Sequence, residues 1–407
     1  MLVQRTEQHI IDRQSKWYKM LKELCYKAKN TYNQGNYIIR QEFIKNGKWL
    51  RYNDVDKLLK YDPQNDNYYS WYAHANQQVL RRLDKNWKSF FASIKDWKKN
   101  PSKYNGVPKL PKYLKKDGLT EWGITAGELR LDYTEGLIYF PKVMQGFNIQ
   151  PQFIYDERFV QFNHCRIVPK NDRIIVELIY TISIPDFVKE QGSIGSIDLG
   201  LDNFVTFVDN LGNRPIIING KGLKSCNQYY NKLIAQIKSE LDKNGNSGYS
   251  HLLYSITNKR NDKIKHFMDK ASKYIVENCL DLGIKTIVIG KNDNQKQNSR
   301  MKNFVQIPYN LFIQKLAYKC QEVGIELILT EESYTSGTSF LDDELPTKEN
   351  YNISRRVKRG LFKSNDGKLI NADVNAAYQT IKKVFSDAVK PGDIGLVMNP
   401  VRVNFSF

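Results

Sequence analysis

Two acidic residues stand where acids are costly unless they do work. Asp198 stands at the end of the strand-like run 193–199, SIGSIDL, and is followed by Leu199 and Gly200. A carboxylate at the end of a hydrophobic strand needs a positive partner nearby, and a divalent cation is the simplest one. Asp373 lies in NADVNAAY, 371–378. At helical spacing it shares one face with Ala376, Ala377, Thr380, Ile381 and Val384. That places it in the first turn of the buried stripe, either as an N-terminal cap or as a second acid facing the strand that carries Asp198. Phosphodiester cleavage by two ions about 3.5–4 Å apart needs hard oxygen ligands. Two aspartates are few for that, so a third carboxylate is expected.

The elements that must position these acids follow from periodicity. Strands are expected at 194–199, 203–209 and 215–219, with a turn at 210–213. Helices follow at about 226–243 and 252–280, then a strand at 284–290, a helix from Pro308 to Gly324, a strand at 325–332 and a last helix from Ala372. Three early strands and then alternating strand and helix is the order of an RNase H-like sheet. Upstream, 11–100 reads as helical. Its clearest helix runs from His74 to Lys98, with Val79, Leu83, Trp87, Phe90, Ile94 and Trp97 in one stripe, best read as core. Pro101 ends it, and a Pro-, Gly- and Lys-rich loop follows. Hairpins are expected over 128–140, turning at Gly136, and over 159–184, turning at 170–172. Such short strands with basic loops would suit a small oligonucleotide-binding barrel. A boundary is expected at 186–192.

Composition narrows the partner. The chain of 407 residues carries 62 basic and 43 acidic side chains, a net charge of +19, with 12% aromatics. That balance fits a polyanion with bases to stack on rather than a small-molecule enzyme. The sequence has no apolar run of the roughly 20 residues that spans a bilayer and a charged start without a signal-peptide core, so a cytoplasmic, nucleoid-associated protein is expected. Cys25, Cys165, Cys226, Cys279 and Cys320 are scattered and form no CxxC pair, which disfavours a cysteine zinc site.

IDLG at 197–200, Thr335-Ser336 and NADVNAAY at 371–378 resemble the RuvC-type nuclease core of the TnpB family, RNA-guided DNA endonucleases of bacterial transposons related to type V CRISPR effectors and Fanzor proteins. The lysine-rich PKLPKY at 108–113 and the order of the upstream regions agree, so the resemblance covers nearly the whole chain. It departs in two places. The family's usual second acid is a Glu ending the strand at 284–290, where this chain has Ile289-Gly290-Lys291; and the family's zinc ribbon between the Thr-Ser pair and the last Asp is missing its four cysteines.

Glu331-Glu332, at the end of the neighbouring strand about 4.8 Å across, repairs the first departure. Some relatives carry the relocated Glu just before the Thr-Ser pair, which favours Glu332; adjacent strand residues face opposite ways, so only one of the two should ligate. The resemblance implies a multidomain α+β protein: a wedge-like β-barrel from 1–10 and 101–190, a helical recognition domain at 11–100, and an RNase H-like (RuvC) α/β domain at 191–407 with a cysteine-free insert at 337–371. It implies a two-metal DNA endonuclease that cuts beside a short flanking motif, with Asp198, Glu332 and Asp373 holding Mg2+ (Mn2+ as substitute) and no structural zinc. Its partners would be one guide RNA per monomer and target double-stranded DNA, with no membrane. Candidate nucleic-acid contacts are Arg81, Arg82, Lys259, Arg260, Arg355, Arg356 and Arg359. A nuclease-inactive RNA-guided repressor is the alternative, and a DNA-joining transposase a third reading.

Overall fold

The computed structural model describes residues 1–186, 192–245, 250–291, 307–393 and 399–405. The boundary expected at 186–192 falls mostly on 187–191, outside the described residues. The chain divides into two compact units, Met1–Ile184 and Pro185–Phe407.

The first unit begins with strand β1 (Leu2–Ile11), whose exposure alternates residue by residue. Helix α1 (Tyr18–Asn46) follows, then α2 (Tyr52–Lys60), α3 (Asp66–Tyr69) and α4 (Ala73–Lys99). Leu21, Leu24, Cys25, Ala28 and Tyr32 of α1 and Val79, Leu80, Leu83 and Trp87 of α4 belong to one core. The Trp87 indole N–H, fully buried, donates to Asn36 Oδ1 at 3.0 Å. The α4 stripe is therefore core from Val79 to Phe90, while Ile94 and Trp97 are only partly buried. Strands β2 (Trp122–Thr125), β3 (Arg130–Asp132), β4 (Leu137–Tyr139), β5 (Asn148–Ile149), β6 (Phe159–Lys170) and β7 (Arg173–Ser183) make two sheets, β1-β7-β6-β2 and β3-β4-β5. The β6–β7 hairpin closes on Asn171, which takes a left-handed φ of 57°, a conformation asparagine tolerates better than most residues.

The second unit is built on β8 (Ile194–Leu199), β9 (Asn203–Asp209), β10 (Ile216–Asn219), α5 (Lys221–Lys243), α6 (His251–Asp281), β11 (Thr286–Lys291), α7 (Tyr309–Glu322), β12 (Glu326–Glu331), the small hairpin β13 (Leu361–Lys363) and β14 (Leu369–Asn371), α8 (Ala372–Val384) and β15 (Val401–Val403). The sheet order is β12-β11-β8-β9-β10-β15. Strands β8, β9 and β10 are antiparallel, whereas β11 and β12 run parallel to β8, and β15 parallel to β10. One face buries Ile197, Phe207, Ile287 and Ile289 against α6 and α7. The other buries Val208, Ile217 and Val288 against Val374, Ala377, Tyr378 and Ile381 of α8. No described helix is long and apolar enough to cross a membrane.

Helix α5 begins five residues before the expected start at 226. Its first turn, Lys-Gly-Leu-Lys, carries little apolar periodicity, yet Leu223 is fully buried there. Strand β15, among residues with no strong strand signal, was not expected; it completes the sheet edge by parallel pairing with β10.

Candidate active site

Strand β8 ends at Leu199, and Gly200 turns the chain into β9. A Cβ on Gly200 would lie 2.5 Å from the Asn203 carbonyl oxygen, so only glycine lets the two strands turn this tightly. The Gly200 carbonyl accepts the buried Tyr309 hydroxyl at 2.9 Å, and Tyr309 stacks on Phe204. The end of β8, and Asp198 with it, is thus clamped between the sheet and α7.

Asp373 is not the cap of α8. Asn371 is: its side chain accepts from the backbone N–H groups of Asp373 and Val374 at 3.0 and 3.2 Å. The Asp373 carboxylate instead accepts from Asn203 Nδ2 at 2.7 Å and from Arg356 Nη2 at 3.2 Å. The Asn203 amide is oriented in turn by Arg402 of β15, 3.3 Å from its Oδ1.

The pair at the end of β12 splits cleanly. Glu331 is exposed; it accepts from the Ser333 N–H at 2.8 Å and pairs with Lys383 at 2.9 Å. These hydrogen bonds, to Ser333 and then Lys383, hold its carboxyl below the usual range. Glu332 is mostly buried, and burial, followed by Glu331, pushes its carboxyl up against the opposing pull of Lys383. The turn that carries it is pinned by the buried Thr335, whose hydroxyl donates to the Glu332 carbonyl at 2.9 Å. That gives Thr335 a structural task.

Asp198, Glu332 and Asp373 line one cavity of about 740 Å3 with Asp202, Asn203, Tyr334, Tyr351, Arg356 and Arg359. Burial, then Asp373, then Glu332 raise the Asp198 carboxyl well above the usual carboxylate range, with Arg356 the opposing charge. The site therefore gathers more negative charge than its own cations neutralise. Hard carboxylate oxygens with that imbalance fit a divalent ion such as Mg2+. Among the described residues no three His, Cys, Asp or Glu side chains already stand in ion-holding geometry; Asp373 is held by Asn203 and Arg356 instead.

The predicted nucleic-acid residues fall into two groups. Arg81 is exposed over the Tyr52 ring, 4.4 Å from its centroid, at the mouth of a cavity of about 820 Å3 also lined by Lys85, Lys88, His164 and Arg166. Burial, then Arg166 and Lys85, lower the His164 pKa. Lys259 is exposed on α6, and Arg359 is mostly exposed at the cavity of the candidate site, 3.3 Å from Asp202. The others are engaged within the fold. Arg82 donates to the Glu121 carbonyl and Thr120 Oγ1, both at 2.7 Å. Arg260 donates to Asn227 Oδ1 at 2.8 and 2.6 Å. Arg356 serves Asp373. Asn203 and Tyr309 went unnoticed in the sequence because nothing there says what lies opposite them.

Arg355 organises the cysteine-free segment. It makes a two-pronged pair with Glu344 at 2.9 and 2.7 Å and lies 3.6 Å from Asp342, all three side chains being largely buried. Asn375 ties the same segment to α8, accepting from the Phe340 N–H and donating to the Thr338 carbonyl at 2.9 and 2.8 Å. Phe340 stacks on Tyr378, centroids 4.3 Å apart. Arg355→Ala strands two acids and is expected to cost about 3 kcal/mol, read as a lower midpoint in thermal melting and early proteolysis within 338–371.

Two family models match the chain, for the most part within the second unit. OrfB_IS605 (“Probable transposase”) matches residues 178–296, which span β8 to β11 and include Asp198. The Cas12f1-like TNB domain matches 309–380, which includes Glu332, Thr335 and Asp373. Together the two matches support a TnpB-like family for this chain. No curated protein matches it. Solved structures similar to this chain include “Cryo-EM structure of the Cas12f1-sgRNA-target DNA complex”, at 15% identity and TM-score 0.36, covering 92% of this chain and 98% of that one. Another is “Cryo-EM structure of CasPhi-2 (Cas12j) bound to crRNA and Phosphorothioate-DNA”, at 8% identity and TM-score 0.43, covering 95% and 92%.

Proposed function

We propose that this TnpB-like chain is an RNA-guided, divalent-metal-dependent DNA endonuclease that cuts target DNA beside a short flanking motif by a two-metal RuvC mechanism. The observation that carries the reading is the convergence of Asp198, Glu332 and Asp373 on one cavity from a strand end, a turn and a helix. These three carboxylates would hold the ions. Bound Mg2+ would supply the charge that activates water and stabilises the leaving oxygen. The chain's own residues do the rest. Asn203 and Arg356 orient Asp373, Thr335 fixes the turn of Glu332, and the exposed Arg359 guanidinium suits a scissile-strand phosphate.

In this reading residues 11–100 are the recognition helices, and 1–10 with 101–190 a wedge-like barrel. Residues 191–407 are the nuclease. The cationic cavity around Arg81 and Lys85 would grip backbone phosphates, while pairing between one guide RNA and the target strand supplies sequence. The protein would work in the cytoplasm on nucleoid DNA as a monomer.

The test is to purify the protein with its RNA, sequence that RNA, and offer a plasmid bearing the matching target beside a randomised flank. Mg2+-dependent cleavage next to an enriched flank, abolished by chelation, is expected. Retention of the target without cleavage at any Mg2+ or Mn2+ concentration would instead make the chain an RNA-guided repressor.

A further inference from the structure

Glu332 reaches the cavity across a gap in the sheet surface, and the gap is Gly290. The pairing of β8 with β11 runs in register through Ile197–Ile289, so Asp198 and Gly290 are the next residues along each strand. On the other side Gly290 pairs with Thr330 of β12, two residues before Glu332. Residues at such positions share a face, here the α8 face. A Cβ on Gly290 would stand 3.1 Å from Glu332 Cβ, 3.3 Å from Glu332 Oε2 and 3.6 Å from Thr380 Oγ1. The Glu332 carboxylate therefore lies over the spot where a side chain of residue 290 would begin.

Nothing in the backbone demands glycine there. Gly290 is buried inside a regular strand and is not among the residues with positive φ. Glycine in a strand interior costs stability relative to residues that pack. Its missing side chain is explained by the neighbour that fills the space.

We propose that Gly290 is a positioning residue whose lack of a side chain admits Glu332 to the ion site, so that positions 290 and 332 are alternative roots for a single carboxylate. The proposal rests on Glu332 being an acid of the site. It implies a steric exclusion: a side chain at 290 and a Glu at 332 compete for the same volume, and either one alone can supply the acid.

The experiment measures Mn2+ binding by electron paramagnetic resonance of the free ion, alongside melting temperature without metal, for wild type, Glu332→Ala, Gly290→Ala, Gly290→Val and the double variant Gly290→Glu/Glu332→Ala. Wild type is expected to bind Mn2+ and Glu332→Ala to bind at least tenfold more weakly. Gly290→Val is expected to lose as much as Glu332→Ala, and Gly290→Ala part of that, with metal-free melting unchanged or raised. The double variant should recover to within a few-fold of wild type. Wild-type affinity in both Gly290 variants, or a double variant no better than Glu332→Ala, overturns the steric role of Gly290 while leaving the site intact. A wild type that binds no Mn2+, or an Glu332→Ala that binds as well as wild type, overturns the site reading itself and this inference with it. If Gly290→Val does not fold, Gly290→Ala and the double variant decide.

Discussion

Asp198→Asn is expected to abolish metal-dependent cleavage, by about a thousandfold or more, and yet to leave the metal-free protein as stable as wild type or more so. The two effects have one origin. Ligand removal takes away several kcal/mol of charge stabilisation at the reacting phosphate. The same carboxylate is a liability while no ion is bound. Burial, then Asp373, then Glu332 hold its pKa well above the ordinary range. A carboxylic acid whose folded pKa exceeds its unfolded one resists ionisation in the fold, so at neutral pH it subtracts from stability. Asparagine keeps the shape and removes that charge. Thermal melting with and without Mg2+ reads both sides. Wild type should gain from the ion, and Asp198→Asn should melt at or above metal-free wild type and gain little. A variant that is inactive because it melts lower would contradict the assignment, since a purely structural aspartate would cost stability when replaced.

The second large effect separates neighbours. Glu332→Ala and Glu332→Gln should each lower cleavage at least about a hundredfold with guide RNA still bound, whereas Glu331→Ala should stay within a few-fold of wild type. The difference lies in their surroundings, because the two residues are identical in chemistry. Glu331 is exposed and spent on Ser333 and Lys383. Glu332 is turned into the cavity beside Asp198. The glutamine variant distinguishes charge from shape. Single-turnover cleavage of a matched target, with RNA retention checked in parallel, settles the order; a dead Glu331→Ala beside an active Glu332→Ala would reverse it.

Much of this site could be read from the sequence because each acid sits at a place where periodicity is strong. Strand β8 is a mostly apolar run with an aspartate one residue before its end. Helix α8 announces its buried stripe through two alanines, a threonine and an isoleucine. Alternation along β12 allowed only one of two glutamates to face inward. What could not be read is what depends on juxtaposition across the chain. Asn203 and Asp373 are 170 residues apart and meet at 2.7 Å; Arg402 comes from a three-residue strand that joins the edge of the sheet. The surroundings of the basic residues depend on juxtaposition in the same way. Arg82, Arg260 and Arg355, candidate nucleic-acid contacts by composition, have guanidinium groups hydrogen-bonded to internal acceptors, and only their neighbours in space separate them from the exposed Arg81. Nor does the sequence distinguish an aspartate that caps a helix from one that leaves the cap to Asn371.

The position of β15 has a consequence for biosynthesis. The strand beside β10 comes from residues 401–403, and its arginine steadies the asparagine that holds the last acid. Translation proceeds from the N-terminal unit onward, and units fold roughly in the order they emerge. Long-range parallel pairing of this kind is slow to form. While the ribosome is still adding these residues, the nascent chain can already have its first unit folded, but the candidate site lacks the arginine that steadies Asn203. Assembly order alone therefore delays completion of the candidate site until after the upstream unit has had time to fold.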